Sequence, residues 1–365
     1  RHAWPPVFER PKEGKWVMIQ PWEFGSLPKS WVGPMRDEVD EIWAYSNAVR
    51  DVYVDSGVPG EKVFVVPLGI DPHKFTPQAP PLPLRTRKSF RFLFVGGTIW
   101  RKGITLLLEA YWRAFRREDD VCLVIKAMGQ DSFYRGQDAA EAIRRVQADP
   151  SAPEVLYLTD PLPDRDMPSL YTACHCLAHP YRGEGFGLPV AEAMACGLPA
   201  VVTKGGACDD FCSDDTAYWV PAVRRGIQLE EEPAGTPWVL EPDVAALQAQ
   251  LRRAYESRAE TAERGQRASD FVRKHFTWDN AAAAALDRLR ALARGSAQAS
   301  VPAAFGPGEP PRNGSHSAVT IVGSCFGLGG YDYAVRFMAD ALQRSEVDVG
   351  IIPAFGDDVV VRASG

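Results

Sequence analysis

The sequence lacks the marks of a membrane-spanning, secreted or nucleic-acid-binding protein. No apolar run approaches the roughly 18 residues that a membrane-crossing helix requires. No basic segment followed by an apolar stretch marks a leader at its start. Positive charge is not in excess: 41 Lys and Arg stand against 47 Asp and Glu, a formal net charge of −6 with a pI near 5.6. A nucleic-acid partner is therefore not expected, and any anionic ligand has to be held by local groups.

Cysteine is also scarce, 7 in 365 residues. An odd count does not read as a secreted disulfide framework, which favours a cytoplasmic protein. Paired C-x2-C units are absent, so no metal site is expected. Cys174-His175-Cys176 falls in an expected buried strand, and Cys208 and Cys212 read as buried thiols. The P-loop pattern is missing, as is the G-x-G-x-x-G fingerprint of a nicotinamide site.

What is present is an ordinary globular composition, 45% hydrophobic and 24% charged, long enough for two to three domains. Residues 16–22, 41–46 and 62–67 read as strands, with a helix at 47–55 capped by Ser46, a parallel β–α–β unit in residues 1–76. The proline-rich and then basic stretch 77–89 reads as a linker. From 90 to 294 strands and helices alternate, ending in three helices, which predicts a doubly wound parallel α/β sheet. Residues 295–317 are rich in Gly, Pro and Ser and read as a flexible linker. Residues 318–365 then open with strand, glycine loop (Gly327–Gly330), helix and strand, and stop after Val359–Val361, as the truncated start of a further Rossmann-like domain would.

Two strand-to-helix turns carry the chemistry. The stronger is Glu184-Gly185-Phe186-Gly187-Leu188-Pro189, running on to Glu192 and Gly197. Gly185 and Gly187 permit close backbone approach to a ligand, Pro189 suits the first helical turn, and the free N–H groups of that turn suit a phosphate. Glu184 and Glu192 flank the helix start, where a carboxylate can accept hydrogen bonds from sugar hydroxyls. The second turn, Gly96-Gly97-Thr98-Ile99-Trp100-Arg101-Lys102-Gly103, adds two cations, and Lys102 is a mobile point charge suited to a diphosphate. Asp164-Arg165-Asp166 has the spacing of a metal-binding D-x-D triplet, but it precedes Met167-Pro168 and a helix, and reads as a helix cap.

These elements resemble those of a known family. The Arg101-Lys102-Gly103 turn, the Glu184–Glu192 pair with Gly-Phe-Gly-Leu-Pro inside it, Gly205-Gly206, and the Phe276-Thr277-Trp278 step before the last helix are similar to retaining glycosyltransferases of the GT-B fold, family 4 (group 1), over about residues 1–294. The resemblance implies two Rossmann-like domains with parallel sheets facing a cleft, the N-terminal one incomplete here. It implies transfer of a sugar, with retention and without a metal, from a UDP- or GDP-linked donor. The acceptor would be a glycan, a lipid-linked or a small molecule, as in polysaccharide biosynthesis. No other cofactor is implied, and peripheral contact with a membrane is left open. A donor-binding module that no longer turns over, within a multidomain protein, is the alternative.

Carried over, Lys102 neutralises the diphosphate with Gly97 and Arg101 beside it. The backbone of Gly185, Phe186, Gly187 and Leu188 holds the phosphates, Glu192 the ribose, and Glu184 faces the transferred sugar. Glu23, after the first strand, touches an acceptor hydroxyl or the sugar, and His2 falls near the same wall. The family's usual Arg after the first glycine is Gly97 here, with Arg101 as its replacement. Its glutamate after the later glycine pair is Asp209 or Asp210.

Overall fold

A computed structural model describes residues 6, 8–12, 14–129, 138–294, 318–323, 330–345, 347–353 and 361–362. The described residues cluster into two compact units. One comprises the chain up to Gly69, the segment Gln228–Pro237 and the chain from His275 onward; the other comprises Ile70–Ile227 and Trp238–Lys274.

In the first unit, strands β1 (Val17–Ile19), β2 (Glu41–Ala44) and β3 (Val63–Val65) form a parallel sheet in that order. Between them lie helices α1 (Lys29–Asp37) and α2 (Asn47–Asp55). Ser46 caps α2, its hydroxyl accepting from the Val49 N–H, as the sequence predicts. α1 is not predicted; it contains Gly33 and Pro34, both poor helix formers. It forms because Trp31 and Met35, four residues apart, bury together on one face, which outweighs poor local propensity. The segment Gln228–Pro237 adds to this unit through Lys29 N–H to Glu232 O and Ala234 N–H to Leu27 O, both 2.8 Å.

The second unit opens with β4 (Phe90–Gly96), α3 (Ile104–Ala114), β5 (Val121–Ala127), α4 (Ala140–Ala148) and β6 (Glu154–Leu158). It continues through α5 (Met167–Thr172), β7 (Cys176–His179), α6 (Leu188–Ala195), β8 (Ala200–Thr203) and β9 (Ala217–Val220). An antiparallel ribbon of β10 (Ala222–Gly226) and β11 (Trp238–Pro242) follows, then α7 (Val244–Glu256) and α8 (Arg258–His275). The six main strands are all parallel in the order β6-β5-β4-β7-β8-β9. This is the doubly wound arrangement expected from the alternation; β9 and the ribbon are not predicted by it. Phe90, Phe92 and Phe94 alternate along β4 onto one face, where they pack with Leu107 and Tyr111 of α3 and Leu247 and Leu251 of α7. Residues 77–89, read as a linker, run within this unit, where Leu82 N–H donates to Ser169 O at 2.8 Å.

Helix α9 (Trp278–Ala293) belongs to the first unit. A reciprocal capping box of Thr277 and Asn280 starts it. Arg288, on its third turn, reaches Glu41 of β2 at 2.5 Å, and the pair is nearly dry, 12% and 5% exposed at the side chains. Among the described C-terminal residues, β12 (Ala318–Gly323), β13 (Asp348–Pro353) and β14 (Val361–Arg362) form a separate sheet with β12 pairing β13 and not β1. Helix α10 (Gly330–Arg344) packs on α9, with the Phe337 and Trp278 rings stacked at 5.4 Å. His2, residues 295–317 and Gly327–Gly329 lie outside the described residues.

Candidate active site

In a doubly wound sheet, ligands bind beyond the carboxyl ends of the strands, where the strand order reverses. Here that point lies between β4 and β7. The loops that leave these two strands are the two turns singled out in the sequence. Gly96 ends β4 and Gly97, Arg101 and Lys102 follow it; Glu184, Gly185, Phe186, Gly187 and Leu188 follow β7.

The turn after β4 tightens into a 3-10 turn at Trp100–Lys102 and passes through Gly103 at φ +73° into α3. A Cβ on Gly103 would stand 1.9 Å from Pro180 O, so only glycine lets the two loops touch. Arg101 Nη1–H donates to Gly183 O at 2.7 Å, and Arg182 N–H donates to Arg101 O at 2.7 Å. The buried Arg182 guanidinium forks onto Glu241 of β11 at 2.8 and 2.9 Å and donates to Trp100 O at 2.8 Å. The ribbon thus braces both loops through one side chain.

These loops bring Lys102 and Glu184 together. Lys102 Nζ lies 2.5 Å from Glu184 Oε1, with both side chains buried. His179, the last residue of β7 and fully buried, places Nε2 2.9 Å from the same oxygen. Burial alone would raise the Glu184 carboxyl. The Lys102 ammonium, the His179 hydrogen bond and the Arg101 charge outweigh it and hold Glu184 well below the usual carboxylate range. Lys102 is therefore not the free cation waiting for phosphate that its turn alone suggests. It is shared with a carboxylate and has further N–H donors to offer.

Glu192 lies on α6 and differs in kind. Tyr171 of α5 donates its hydroxyl to Glu192 Oε2 at 2.8 Å. Packing around the carboxyl pushes it up to about 7, with the Tyr171 hydrogen bond and the Lys74 charge pulling the other way. Lys74 itself pairs with Asp164 at 2.5 Å, which gives the D-x-D triplet an ionic role; Asp166 makes no side-chain cap. Helix α6 begins at Gly187 (φ +93°) with no side-chain cap, and the Cys208 thiol 2.6 Å from a hypothetical Gly187 Cβ again requires glycine. Among the described residues, the Gly187 and Leu188 N–H groups donate to no protein acceptor. Open N–H groups at a helix start are suited to an anion. The Asp209 carboxylate accepts from Gly205 N–H at 3.0 Å and pairs with Lys204 at 3.3 Å, so it shapes the later glycine turn. Glu23 lies in the first unit, half-buried, four residues beyond β1.

Sequence reasoning misses His179, Tyr171, Lys74, Arg182 and Glu241. His179 carries a usable signal: it ends a buried strand at the sheet's carboxyl edge. The other four depend on contacts between elements far apart in sequence. Among the described residues, no group of three or more His, Cys, Asp and Glu side chains is placed to hold a metal ion. Nor is any of their helices long and apolar enough to cross a membrane.

Residues 89–229 match the family model "Glycosyl transferases group 1". The chain is 27% identical over 180 residues to MMP alpha-(1->4)-mannosyltransferase of Mycolicibacterium hassiacum, covering 49% of this chain and 40% of that protein. It is 27% identical over 203 residues to D-inositol 3-phosphate glycosyltransferase of Pseudarthrobacter chlorophenolicus, covering 50% and 45%. The chain thus spans less than half the length of these two relatives. Among solved structures, sucrose-phosphate synthase from Thermosynechococcus elongatus superposes with a TM-score of 0.56 at 20% identity, over 73% of this chain and 61% of that one. HepE of Anabaena in complex with UDP and glucose superposes at 0.54 with 17% identity, over 73% and 66%. These two likenesses establish the fold, which is that of GT-B glycosyltransferases.

Proposed function

We propose that this chain transfers a sugar from a nucleotide-diphosphate donor to a glycan, lipid-linked or small-molecule acceptor; the match of residues 89–229 to the group 1 glycosyltransferases supports this. In this reading it does so with retention and without a metal, as a family 4 member. One observation carries the reading. At the point where strand order reverses, the loop after β4 carries Lys102, paired with an ionised Glu184, and the loop after β7 leads into the start of α6, which has no side-chain cap and bears Glu192, a carboxyl raised to about 7.

The chemistry follows from that arrangement. Breaking the bond between the anomeric carbon and the diphosphate oxygen leaves the electron pair on the diphosphate. Fixed donors aimed at that charge lower the barrier. Lys102 and the N–H groups of Gly187 and Leu188 are those donors, with Arg101, Gly97, Gly185 and Phe186 shaping the turns. Glu192 accepts from the ribose hydroxyls and Glu184 from the transferred sugar; Glu23, in the first unit, is assigned to the acceptor. The complexes of HepE with UDP and glucose and with UDP-glucose support a nucleotide donor of this class.

Calorimetry with UDP, GDP and NAD tests the reading. One of the two nucleoside diphosphates should bind and NAD should not; binding by neither UDP nor GDP would refute it. A donor-hydrolysis assay then separates a working transferase from a silent donor-binding module.

A further inference from the structure

His179 has no part in the reading above, yet its surroundings are specific. The ring is fully buried at the carboxyl end of β7, 5.8 Å from the Phe94 ring and 5.9 Å from the Tyr181 ring. Its Nε2 meets Glu184 Oε1, the oxygen already taken by Lys102. Its Nδ1 is buried with no hydrogen-bond partner among the described residues. An ionised carboxylate only accepts, so the hydrogen sits on Nε2 and the tautomer is fixed. Burial, and then the Lys102 and Arg101 charges, disfavour a second proton, against the pull of Glu184. Glu184 Oε2 makes no hydrogen bond to a described residue.

We propose that His179 is a positioning residue that presents Glu184 Oε2 to a hydroxyl of the donor's sugar; this rests on the donor-site reading. An ammonium on a flexible four-carbon stem fixes the distance of a carboxylate but not its plane. An imidazole locked between two aromatic rings supplies the second, rigid donor that sets the plane. With Oε1 saturated by two donors, Oε2 is the oxygen left for ligand. Lys102, sharing its acceptor, keeps its other N–H groups for the diphosphate.

The role separates two ligands. A nucleoside diphosphate meets Lys102 and the α6 start but has no sugar for Glu184, whereas a nucleotide sugar meets both. Calorimetry with UDP and UDP-glucose, and with GDP and GDP-mannose, makes the comparison on the whole chain. His179→Leu should weaken the nucleotide sugar by about tenfold and leave the matching diphosphate within about twofold. His179→Gln, whose amide N–H can stand where Nε2–H stands, should restore sugar affinity; His179→Asn, whose amide is one carbon shorter, should not. Equal losses for both ligands in His179→Leu, or no loss for either, would overturn the proposal. Should His179→Leu fail to fold, the Gln and Asn variants decide, and equal sugar affinity in these two would overturn it. Wild-type protein that binds neither UDP nor GDP would refute the donor reading and this inference with it. Wild-type binding with indifferent variants would refute the inference alone.

Discussion

The Tyr171 hydroxyl donates to Glu192 Oε2 at 2.8 Å from a neighbouring helix, fixing a carboxyl whose proton leaves near neutrality. Only the ionised form is a full acceptor for a ribose diol. Nucleotide affinity should therefore rise with pH through the value of about 7. Between pH 6 and 8 the ionised share goes from roughly one tenth to nine tenths, so affinity should gain about tenfold. Glu192→Gln should flatten the profile, and calorimetry at both pH values reads the effect. For folding the sign is opposite. A carboxyl raised in the native state stabilises it fully below the unfolded value of 4.5. That contribution is lost as pH climbs through about 7.

Lys102 and Glu184 predict a different pattern. Lys102→Met leaves Glu184 buried with only His179 as donor, a cost of about 3–5 kcal/mol in denaturant melts. Adding Glu184→Gln should recover part of it, since no charge is then stranded. Lys102→Met should also weaken UDP or GDP binding by about 1.5–3 kcal/mol. Unchanged affinity would remove Lys102 from the donor site. Because the Glu184 carboxyl is depressed, its stabilisation is present above the unfolded value of 4.5 and lost as pH falls through its lower native value. Glu184→Gln should accordingly lose less stability than wild type between pH 5 and pH 2.

Much of this is legible in the sequence because strand–helix alternation and glycine turns are local signals. The parallel sheet of the second unit, the Gly103 turn and the start of α6 follow from short windows around Gly96 and Gly187. Helix α1 is hidden because Gly33 and Pro34 are poor helix formers, while the burial of Trp31 and Met35 that overrides them is tertiary. Strand β10 is hidden because it is an exposed ribbon, with Val223 69% exposed, and has no buried face to set a period. The pairing of Lys102 with Glu184 joins residues 82 apart, and no window spans it.

Two glycines should respond oppositely to alanine. Gly103 sits at φ +73° against Pro180 O, so alanine adds left-handed strain of about 1–2 kcal/mol and a clash with backbone that must move both loops. Gly103→Ala should lower the melting temperature and weaken nucleotide binding together. Gly33, inside α1 with no atom within 4 Å of where a Cβ would stand, carries neither cost. Gly33→Ala should stabilise by about 0.5–1 kcal/mol through reduced unfolded-chain freedom and better helix propensity. A stabilising Gly103→Ala would contradict the loop geometry.

Arg288 reaches Glu41 through Nη2 at 2.5 Å and Nε at 3.3 Å, while Trp43 Nε1–H donates to Glu41 Oε2 at 3.0 Å. The guanidinium also lies 3.4 Å from the Phe64 ring centroid, so one side chain of α9 engages β2 and β3 at once. Removing it strands a carboxylate that is 5% exposed. Arg288→Met should cost about 3–5 kcal/mol, whereas Arg288→Met with Glu41→Leu should cost clearly less, because the stranded charge and not the lost attraction is the larger penalty. Arg288→Lys keeps the charge but loses the fork and the flat contact with Phe64, and should fall between wild type and Arg288→Met. Urea melts followed by tryptophan fluorescence, with Trp43 beside the pair, measure the series. A double variant as unstable as the single one would show that packing of the guanidinium on Phe64, and not the ion pair, fastens α9 to this sheet.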